Sequence, residues 1–334
     1  EFNVATRHYG VTRQGNFVDH SDPDPLPGQN VLSVVNPDLP ESDRPLLKSA
    51  RRKLFEARSQ RVRPHLDDKI LSSWNGMMLG AMARGYAVLG DDEFRTAAEK
   101  NLAFLRKSLW DESTRTLHHR WRDGERDDVQ LLDAYANLLA GVLDLYEATL
   151  DSRHLEFAVQ LAESMIERFH DAEDGGFWQS AADPDELILR MKEDYDGAEP
   201  SGNSVAAMAL LRLAAVTGRE DFKKAAEGTL RLFAARMNQL PQAVPALLFA
   251  LDFWLDDPRR VVIAGDLDQK ETRDLIHTAH KVYQPTRLIL GTEGPVDEFT
   301  RTLKAKGKPT VYVCTGTACK PPVHTPDQLQ PLLK

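Results

Sequence analysis

Acidic, amide and hydroxyl side chains are concentrated in one short stretch, residues 194–206, which reads Asp-Tyr-Asp-Gly-Ala-Glu-Pro-Ser-Gly-Asn-Ser-Val-Ala. An apolar run that predicts a helix begins at Val205. The free N–H groups at a helix N-terminus attract anionic and hydroxyl oxygens, so this stretch favours a site for a polyhydroxylated or anionic ligand. Ser201, Asn203 and Ser204 could instead be ordinary helix caps. The stretch taken alone leaves both interpretations open.

A helical hairpin occurs three times along the chain, and the polar stretch precedes the third copy. Each copy has a first helix that is apolar nearly all round, a tight turn, and a second helix with a polar face. Buried first helices and amphipathic second helices are what two concentric rings require. The pattern predicts helix pairs at 70–89 and 93–109, at 129–150 and 153–169, and at 205–217 and 219–237, with single helices at 41–63 and 243–255.

The repeat brings the starts of the first helices together. In a barrel of alternating hairpins all inner helices run in one direction, so their N-termini gather at one end. Carboxylates, amides and aromatic rings together suit sugar hydroxyls and ring faces, and carboxylate pairs suit glycoside chemistry. The residues expected at that end are Asp67, Asp68, Trp74, Asn75, Asp127, Asp128, Asp133, Tyr135, Asn137, Asp196, Glu199 and Asn203.

Roles can be assigned within this set. Asp196 or Glu199 is the expected catalytic acid or base, and Asp68 is the expected partner carboxylate. Structural alternatives remain, because Asp and Asn commonly cap helices, Trp74 could lie in the core, and the adjacent aspartates could pair with Lys69. The expected substrate-binding residues are Asp67, Trp74, Asn75, Asp133, Tyr135, Asn137, Ser201 and Asn203.

Histidines provide further acid–base candidates, namely His65, His118, His119 and His170. For each of them the structural interpretation is favoured over the catalytic one. The adjacent pair His118 and His119 cannot both point the same way on an extended segment. No pair has a convincing metal-ligand spacing, so neither a metal nor a cofactor is predicted.

The last part of the chain has a different pattern. Short apolar runs at 261–264, 288–290 and 311–313 alternate with helical patterns at 268–282 and 296–306. This alternation predicts a small parallel α/β unit of three strands. The expected parts of the chain are an irregular lead-in at 1–40, a barrel portion at 41–257 and the α/β unit at 258–334.

Composition limits the class of protein. The chain has 334 residues, of which 42% are hydrophobic and 28% charged, as in globular proteins. Its net charge of -9 argues against a nucleic-acid partner, and no apolar run is long enough to span a membrane. Only two cysteines occur, which indicates a reducing compartment, and we expect a cytoplasmic protein. Cys314 and Cys319 lack the Cys-x-x-Cys redox spacing and are expected to be ordinary strand-end thiols.

Four motifs are specific enough to compare with known families. They are His65-Leu66-Asp67-Asp68-Lys69, Ser73-Trp74-Asn75-Gly76, the string Asp-Gly-Ala-Glu-Pro-Ser-Gly-Asn-Ser at 196–204, and Cys314 through Cys319-Lys320-Pro321-Pro322. They resemble the C-terminal part of the spermatogenesis-associated protein 20 family of thioredoxin-domain-containing proteins, over essentially the whole chain. The resemblance implies an N-terminal thioredoxin-like domain and then an (α/α)₆ barrel similar to N-acylglucosamine 2-epimerases and six-hairpin glycosidases.

Repeat and resemblance together predict a mainly α fold, an incomplete (α/α)₆ toroid of helical hairpins followed by a small parallel α/β unit. The sequence contains neither the thioredoxin-like domain nor the first part of the barrel. The inner helices at 70–89 and 243–255 are apolar on more sides than their neighbours in this chain can cover. The chain is therefore expected to be the C-terminal piece of a longer protein, whose upstream segment closes the ring and completes the site.

Three functions remain open. The protein could be a carbohydrate-active isomerase, epimerase or hydrolase, a sugar-binding barrel without catalysis, or a scaffold that presents the thioredoxin-like domain to partners. Catalysis predicts groups with displaced pKa values at the pocket mouth, whereas binding alone predicts ordinary carboxylates there. A scaffold predicts a filled barrel centre. The expected ligand is a small sugar-like molecule, and neither nucleic acid nor a membrane is expected.

Overall fold

The computed structural model describes residues 1–181, 189–256 and 258–333. The chain falls into two compact units, Glu1–Asp67 and Asp68–Lys334. The division that the sequence suggests at 257/258 stays a prediction, and residue 257 itself lies outside the described residues.

The first unit has two helices joined by a long irregular segment. Helix α1 (Phe2–Tyr9) ends at Gly10, whose left-handed backbone allows its N–H to bond the Thr6 carbonyl. Residues 11–40 form turns and bends. A 3₁₀ turn then leads into α2 (Arg44–Ser59), so the helix predicted to reach residue 63 ends at Ser59.

The second unit begins with the three predicted hairpins. They are α3 (Ser72–Leu89) with α4 (Asp92–Ser108), α5 (Leu132–Thr149) with α6 (Ser152–Phe169), and α7 (Gly202–Thr217) with α8 (Glu220–Leu232). Two more helices follow, α9 (Ala234–Gln239) and α10 (Pro245–Leu255). The helix predicted at 219–237 is interrupted at Phe233, where the backbone leaves helical geometry, so α8 and α9 are separate.

The helices form two layers. Helices α3, α5, α7 and α10 lie side by side in that order as an inner layer, and α4, α6 and α8 each pack on the first helix of their own hairpin. Inner helix α5 is buried nearly all round, whereas α6 has an exposed polar face. This arrangement confirms the predicted incomplete toroid, with an arc of four inner helices in the described part of the chain.

Two glycines let α3 and α5 approach until their backbones touch. A Cβ added to Gly141 would lie 2.2 Å from the Gly76 carbonyl oxygen, and one added to Gly76 would lie 2.6 Å from the Asn137 carbonyl carbon. Neither position has room for a side chain. The spacing between these two inner helices is therefore fixed, and so is the relation between their N-terminal ends.

The two edges of the inner layer expose apolar side chains, as the sequence predicts. On α3, Trp74, Met78 and Val88 are all about half exposed or more, and on α10 Phe249 is 57% exposed. These faces are therefore uncovered flanks of the arc. None of the helices in the described ranges is both long and apolar enough to cross a membrane.

The two ends of the arc differ in how the helices are joined. Each inner helix leads into its outer partner through a tight turn, with Gly90, Leu150 and Gly218 in the left-handed conformation. The return connections, 109–131 and 170–201, are long. We call the end with the tight turns the back end. The opposite end, where the inner helices begin and the long connections lie, is the front end.

Leu150 differs from the glycines that occupy the equivalent turns. Its φ is 57°, a conformation that costs a residue with a Cβ about 1–2 kcal/mol. The side chain is only 3% exposed and lies in the apolar core of the α/β part, with residues such as Val261 and Ile289. Burial of this side chain therefore offsets the strain in its backbone.

Short strands occupy the start of the second unit and the first long connection. They are β1 (Ile70–Leu71), β2 (Trp110–Asp111), β3 (Thr116–Leu117), β4 (Arg120–Arg122) and β5 (Glu125–Arg126). Strands β2 and β3 form a hairpin, and β1, β4 and β5 form a small antiparallel sheet. The helix predicted from residue 70 begins at Ser72 because Ile70 and Leu71 pair with β4.

The last part of the chain folds as the expected α/β arrangement, but its sheet is not parallel. The elements are β6 (Arg260–Ala264), α11 (Lys270–His280), β7 (Leu288–Leu290), α12 (Glu298–Thr302), β8 (Thr310–Thr315), β9 (Ala318–Cys319) and α13 (Pro326–Leu329). The strand order is β7-β6-β8-β9, and only β6 and β7 are parallel. The prediction of three parallel strands is wrong because an apolar run encodes a buried strand but not its direction.

Both cysteines lie in the last two strands. Cys314 in β8 lies opposite Cys319 in β9, and a disulfide bond joins them. The prediction of two ordinary thiols is therefore wrong. The reason is the tight hairpin between the strands, which brings the two residues face to face in a way that their spacing in the sequence does not reveal.

Candidate functional site

Two backbone hydrogen bonds hold the long connections at the front end. The Ser72 N–H at the start of α3 donates to the His119 carbonyl at 2.9 Å, and the Leu132 N–H at the start of α5 donates to the Gln179 carbonyl at 2.9 Å. Asp133 follows Leu132 directly. Because α3 and α5 are fixed neighbours, these bonds bring His119, Asp133 and Gln179 to adjacent positions.

Asp133 is a half-buried carboxyl near the start of α5. Its Oδ1 accepts the Ala134 N–H at 2.8 Å. Burial raises the pKa of the Asp133 carboxyl above its usual value, while the Ala134 N–H and nearby His119 partly oppose the shift. A carboxyl in this situation holds its proton more tightly than an exposed aspartate does, which is the direction of shift found in catalytic carboxyl groups that donate a proton.

His119 and Gln179 each present a buried polar atom without a hydrogen-bond partner in the described ranges. The atoms are Nδ1 of His119 and Oε1 of Gln179. Buried polar atoms in proteins are nearly always paired, so an unpaired one indicates a ligand or an ordered water. We call Asp133, His119 and Gln179 the front cluster, because the charge of His119 reaches the Asp133 carboxyl and the Gln179 carbonyl bonds the residue before Asp133.

Aromatic side chains are exposed at the same end. Trp74 lies two residues after Ser72 and is 59% exposed, and Tyr195 is 58% exposed. Trp178 has the cationic groups of Arg190 and Lys192 over its ring, at 5.1 and 4.5 Å from the ring centroid. Trp74 thus has the accessible indole face that stacking on a sugar ring requires, and its role as a binding platform stays a prediction.

Asp196, one of the predicted catalytic carboxylates, uses both oxygens within the protein. Oδ1 accepts the Ser201 N–H at 2.9 Å, and Oδ2 accepts the Ala246 N–H at 2.8 Å. The carboxylate therefore ties the polar stretch 194–206 to the start of α10. This contact gives Asp196 a positioning role in the fold.

The two other predicted catalytic carboxylates, and the predicted binding residue Asp67, lie at the surface. Asp68 is exposed and pairs with Arg122, with 2.8 Å between Oδ1 and Nε. Glu199 is exposed, and its backbone carbonyl accepts the Gly197 N–H at 3.1 Å. Asp67 is an exposed residue of the first unit. A catalytic or binding role for these residues stays a prediction.

Two of the predicted substrate-binding residues build the start of α7. The Ser201 hydroxyl caps the helix by accepting the Ser204 N–H at 3.2 Å. Asn203 is fully buried, where its Oδ1 accepts the Phe177 N–H at 2.8 Å and its Nδ2 donates to the Phe177 and Glu193 carbonyls at 2.9 Å. Asn203 therefore fastens the second long connection to the front end.

Three other predicted substrate-binding residues also hold the scaffold. The Tyr135 hydroxyl is buried and accepts the Leu117 N–H at 2.7 Å. The Asn137 amide donates to the Asp133 carbonyl at 3.0 Å, and the Asn75 amide donates to the Leu71 carbonyl at 2.9 Å. These side chains lie at the front end, as expected. Their hydrogen bonds hold the helices and connections there in position.

The remaining histidines have varied surroundings. His118 is buried and its Nδ1 lies 2.6 Å from the Asp127 carbonyl, to which it must donate. Burial lowers the pKa of His170, with Asp171 opposing the shift, and its Nε2 makes no hydrogen bond in the described ranges. His65 is exposed in the first unit. Among the described residues, no group of three or more His, Cys, Asp and Glu side chains is arranged to hold a metal ion.

Sequence reasoning found part of this cluster and missed part. Asp133 is named as a binding residue and His119 as one of four histidines, whereas Gln179 is not named. Both His119 and Gln179 lie in the extended connections between hairpins, which is the only sequence feature that marks them. Whether an amide oxygen is left without a partner depends on the folded structure.

No family model matches this chain. Solved structures similar to it include a GH76 alpha-mannanase of Bacteroides thetaiotaomicron, at 14% identity and a TM-score of 0.46 over 72% of this chain and 68% of that chain. Another is cellobiose 2-epimerase from Bacillus thermoamylovorans, at 19% identity and a TM-score of 0.43 over 51% of this chain and 46% of that chain. Similarity at this level carries no inference about activity.

Sequence relatives cover almost the whole chain. Spermatogenesis-associated protein 20 of Homo sapiens is 36% identical, covering 99% of this chain and 45% of that protein. The protein of the same name from Rattus norvegicus is 34% identical with the same coverage. The chain thus spans about half the length of these relatives. The resemblance that the motifs indicate is therefore confirmed: over 99% of its length, this chain is homologous to the spermatogenesis-associated protein 20 family.

Proposed function

We propose that the front end binds a carbohydrate or a related polyhydroxylated metabolite, and that Asp133 transfers a proton to or from it. The observation that carries this proposal is the half-buried Asp133 carboxyl with a raised pKa and the nearby charge of His119. In the described ranges, His119 and Gln179 each have a buried polar atom without a partner, and the Gln179 backbone bonds the residue before Asp133. A hydroxyl group can donate to the Gln179 Oε1 and can either donate to or accept from the His119 Nδ1, according to the ring tautomer.

The cluster suits proton transfer of the kind that a sugar epimerase performs. A carboxyl with a raised pKa keeps its proton to a higher pH than an exposed aspartate does, and the neighbouring imidazole supplies a second proton-transfer group. One group removes a proton from a sugar carbon and the other returns a proton to it, so the substrate is isomerised without a net gain or loss. This is the chemistry that we favour.

A glycosidase-like reaction is less well supported. Glycoside hydrolysis generally needs two carboxylates that flank the scissile bond. Asp196, the carboxylate that the sequence suggests as partner, already accepts two backbone N–H groups. Its oxygens are therefore engaged in holding the loop to α10.

The ligand can be sought by a thermal-shift screen with uncharged mono- and disaccharides. A ligand at 100 times its Kd stabilises the fold by about 2.7 kcal/mol, which such a screen detects. With a turned-over sugar in hand, Asp133→Asn should lower kcat by about 10²–10⁴-fold, since that is the typical contribution of one positioned acid–base group. The variant keeps the oxygen that accepts the Ala134 N–H, so we expect it to fold.

Glu199→Gln tests the competing assignment, because Glu199 is an exposed carboxylate at the same end and the sequence also suggests it as the acid or base. If Asp133 transfers the proton, this variant keeps its activity. If Glu199→Gln abolishes turnover and Asp133→Asn does not, the role proposed for Asp133 is wrong and the catalytic role that the sequence suggests for Glu199 is right. If a sugar binds, neither variant changes its affinity and no product forms, the front end binds the sugar without catalysis. If no sugar stabilises the protein, the ligand class is wrong.

A further inference from the structure

A second cavity lies at the back end of the arc, away from the front cluster. Its volume is about 450 Å³. It is lined by the inner helices and by the segment that joins α11 to β7, and the charged residues in its wall are Arg84, Asp144, Glu147, Arg212, His280 and Arg287. None of these residues is part of the front cluster.

Two of the three arginines are neutralised by the two carboxylates. The Arg212 Nη2 lies 2.8 Å from an oxygen of Asp144 and 2.8 Å from an oxygen of Glu147. The Arg84 Nε lies 2.8 Å from the other oxygen of Asp144. The formal charges of these four groups cancel, so the charge of Arg287 remains.

The Arg287 guanidinium has no partner to balance it in the described part of the chain. Its Nε and Nη1 are buried and make no hydrogen bond. Burial lowers the pKa of Arg287, with Glu147 opposing the shift. The surroundings of the guanidinium group therefore disfavour its charged form. Leaving a buried charge unpaired costs several kcal/mol, and proteins normally supply a partner.

A second arginine makes the imbalance larger. Arg259 precedes β6 and Arg287 precedes β7, and these parallel neighbours are in register at Arg260 and Leu288. The Nη1 of Arg259 is also buried without a hydrogen bond in the described ranges. The two guanidinium groups are close enough that the charge of Arg259 lowers the pKa of Arg287. Two like charges therefore meet at the start of two adjacent strands.

Within the described ranges, the nearby polar side chains do not supply the missing negative charge. The His280 Nε2 lies 3.0 Å from the Glu147 carbonyl and must donate to it, and burial lowers the pKa of the ring, which favours the neutral form. The Gln284 amide donates to the Leu333 carbonyl. Glu147 is already paired with Arg212, and its second oxygen faces the Ile289 N–H.

We propose that this cavity binds a phosphate-class oxyanion at Arg287, either as free phosphate or as the phosphate group of an ester. Arg259 is not in the cavity wall but adds positive charge beside Arg287. The planar guanidinium group presents N–H donors in a fork that matches two phosphate oxygens, and such charge-assisted bonds are the strong ones in proteins. The cavity is large enough for a phosphate group with a sugar-sized substituent, within the size range of small-ligand sites.

The test is calorimetric titration of the protein with inorganic phosphate and, separately, with glucose 6-phosphate, at constant ionic strength. We expect at least one of them to bind wild-type protein, and Arg287→Met to weaken that binding by about tenfold or more, as expected for the loss of a charge-assisted pair. Binding of both probes means that the site recognises the phosphate group alone. Binding of the ester alone means that the substituent is also recognised.

Arg95→Met is the matched control. Arg95 lies in a separate arginine-rich cleft between α4 and α6, where it already pairs with Glu99 at 3.0 Å. We expect this variant to bind phosphate like the wild type. A second measurement guards against a folding defect: without ligand, Arg287→Met should melt at or above the wild-type Tm, because an unpaired buried charge has been removed. Equal binding by wild type and Arg287→Met, or no binding of either probe to the wild type, would overturn the proposal.

Discussion

Buried ionisable side chains have different partners at the back end and at the front end of the arc. At the back end, burial alone would lower the pKa of Arg212, but the carboxylates of Glu147 and Asp144 raise it, and each lies 2.8 Å away. At the front end, Asp133 bonds a backbone N–H, and burial raises its pKa. The comparison teaches that buried carboxylates can serve as structural ion-pair partners of a buried arginine, whereas a buried carboxyl bonded only by a backbone N–H holds its proton more tightly than usual.

The largest effect is expected from removing the shared cation at the back end. Arg212→Met leaves Asp144 and Glu147 buried without the group that bonds both. We expect the free energy of unfolding to fall by about 3–5 kcal/mol, as for other buried pairs that lose one partner. Urea titration at neutral pH measures this loss.

Arg84→Met is the matched control, because Arg84 bonds the same Asp144 carboxylate but its side chain is 72% exposed. Exposed ion pairs contribute at most about 1 kcal/mol, so this variant should lose no more than that. If Arg84→Met and Arg212→Met lose the same amount, burial of the pair is not what makes the back end stable, and the comparison fails.

At the front end, Trp74→Ala should affect binding more than stability. Because the indole is mostly exposed, its removal should lower the free energy of unfolding by less than about 1 kcal/mol. Loss of a stacking partner should weaken affinity for the sugar found by the screen by roughly threefold to tenfold. Calorimetric titration and thermal melting on the same samples separate the two effects.

Trp110→Ala provides the contrast, since Trp110 is buried and its Nε1 donates to Glu112 at 2.8 Å. That variant should lose about 3–5 kcal/mol of stability. A Trp74→Ala protein that unfolds like Trp110→Ala would place Trp74 in the core, against its exposure in the structure.

The smallest effect concerns the pH dependence of stability at the front end. The folded protein holds the Asp133 proton more tightly than the unfolded chain does, so wild-type stability falls as pH rises through the raised pKa. Asparagine cannot ionise. Asp133→Asn should therefore be slightly more stable than wild type at neutral pH, and the difference should vanish as pH falls below about 4, the ordinary pKa of Asp. Thermal melts across this range decide it; a difference that persists in acid would contradict the raised pKa.

The helical part of the fold was accessible from sequence because its evidence is local. Each helix is indicated by the apolar periodicity of its own residues, and its end by a turn residue such as Gly90 or Gly218. Both signals lie within a short stretch of sequence. The direction of β8 and the pairing of Cys314 with Cys319 depend on which strand lies beside which. Such contacts join distant parts of the chain, and no local pattern encodes them.

The sequence predicts where the candidate site lies, but not which of its side chains face a ligand. The repeat correctly brings the starts of α3, α5 and α7 to one end and includes Asp133 among the residues there. It cannot separate a side chain that holds the scaffold, such as Tyr135 or Asn203, from one that faces a ligand, because the same residue types serve both purposes. The distinction rests on burial and on hydrogen bonds to segments far away in the sequence, such as that of Gln179.

Leu150 has a consequence for how the second unit unfolds. Its strained turn belongs to the α5–α6 hairpin, but its side chain is part of the core formed by β6, β7 and β8. If the sheet melted first, the turn would keep its strain and lose the burial that offsets it, so the hairpin would be weakened at once. We therefore expect the helical arc and the sheet to unfold in one cooperative transition, because Leu150 couples the stability of the hairpin to that of the sheet.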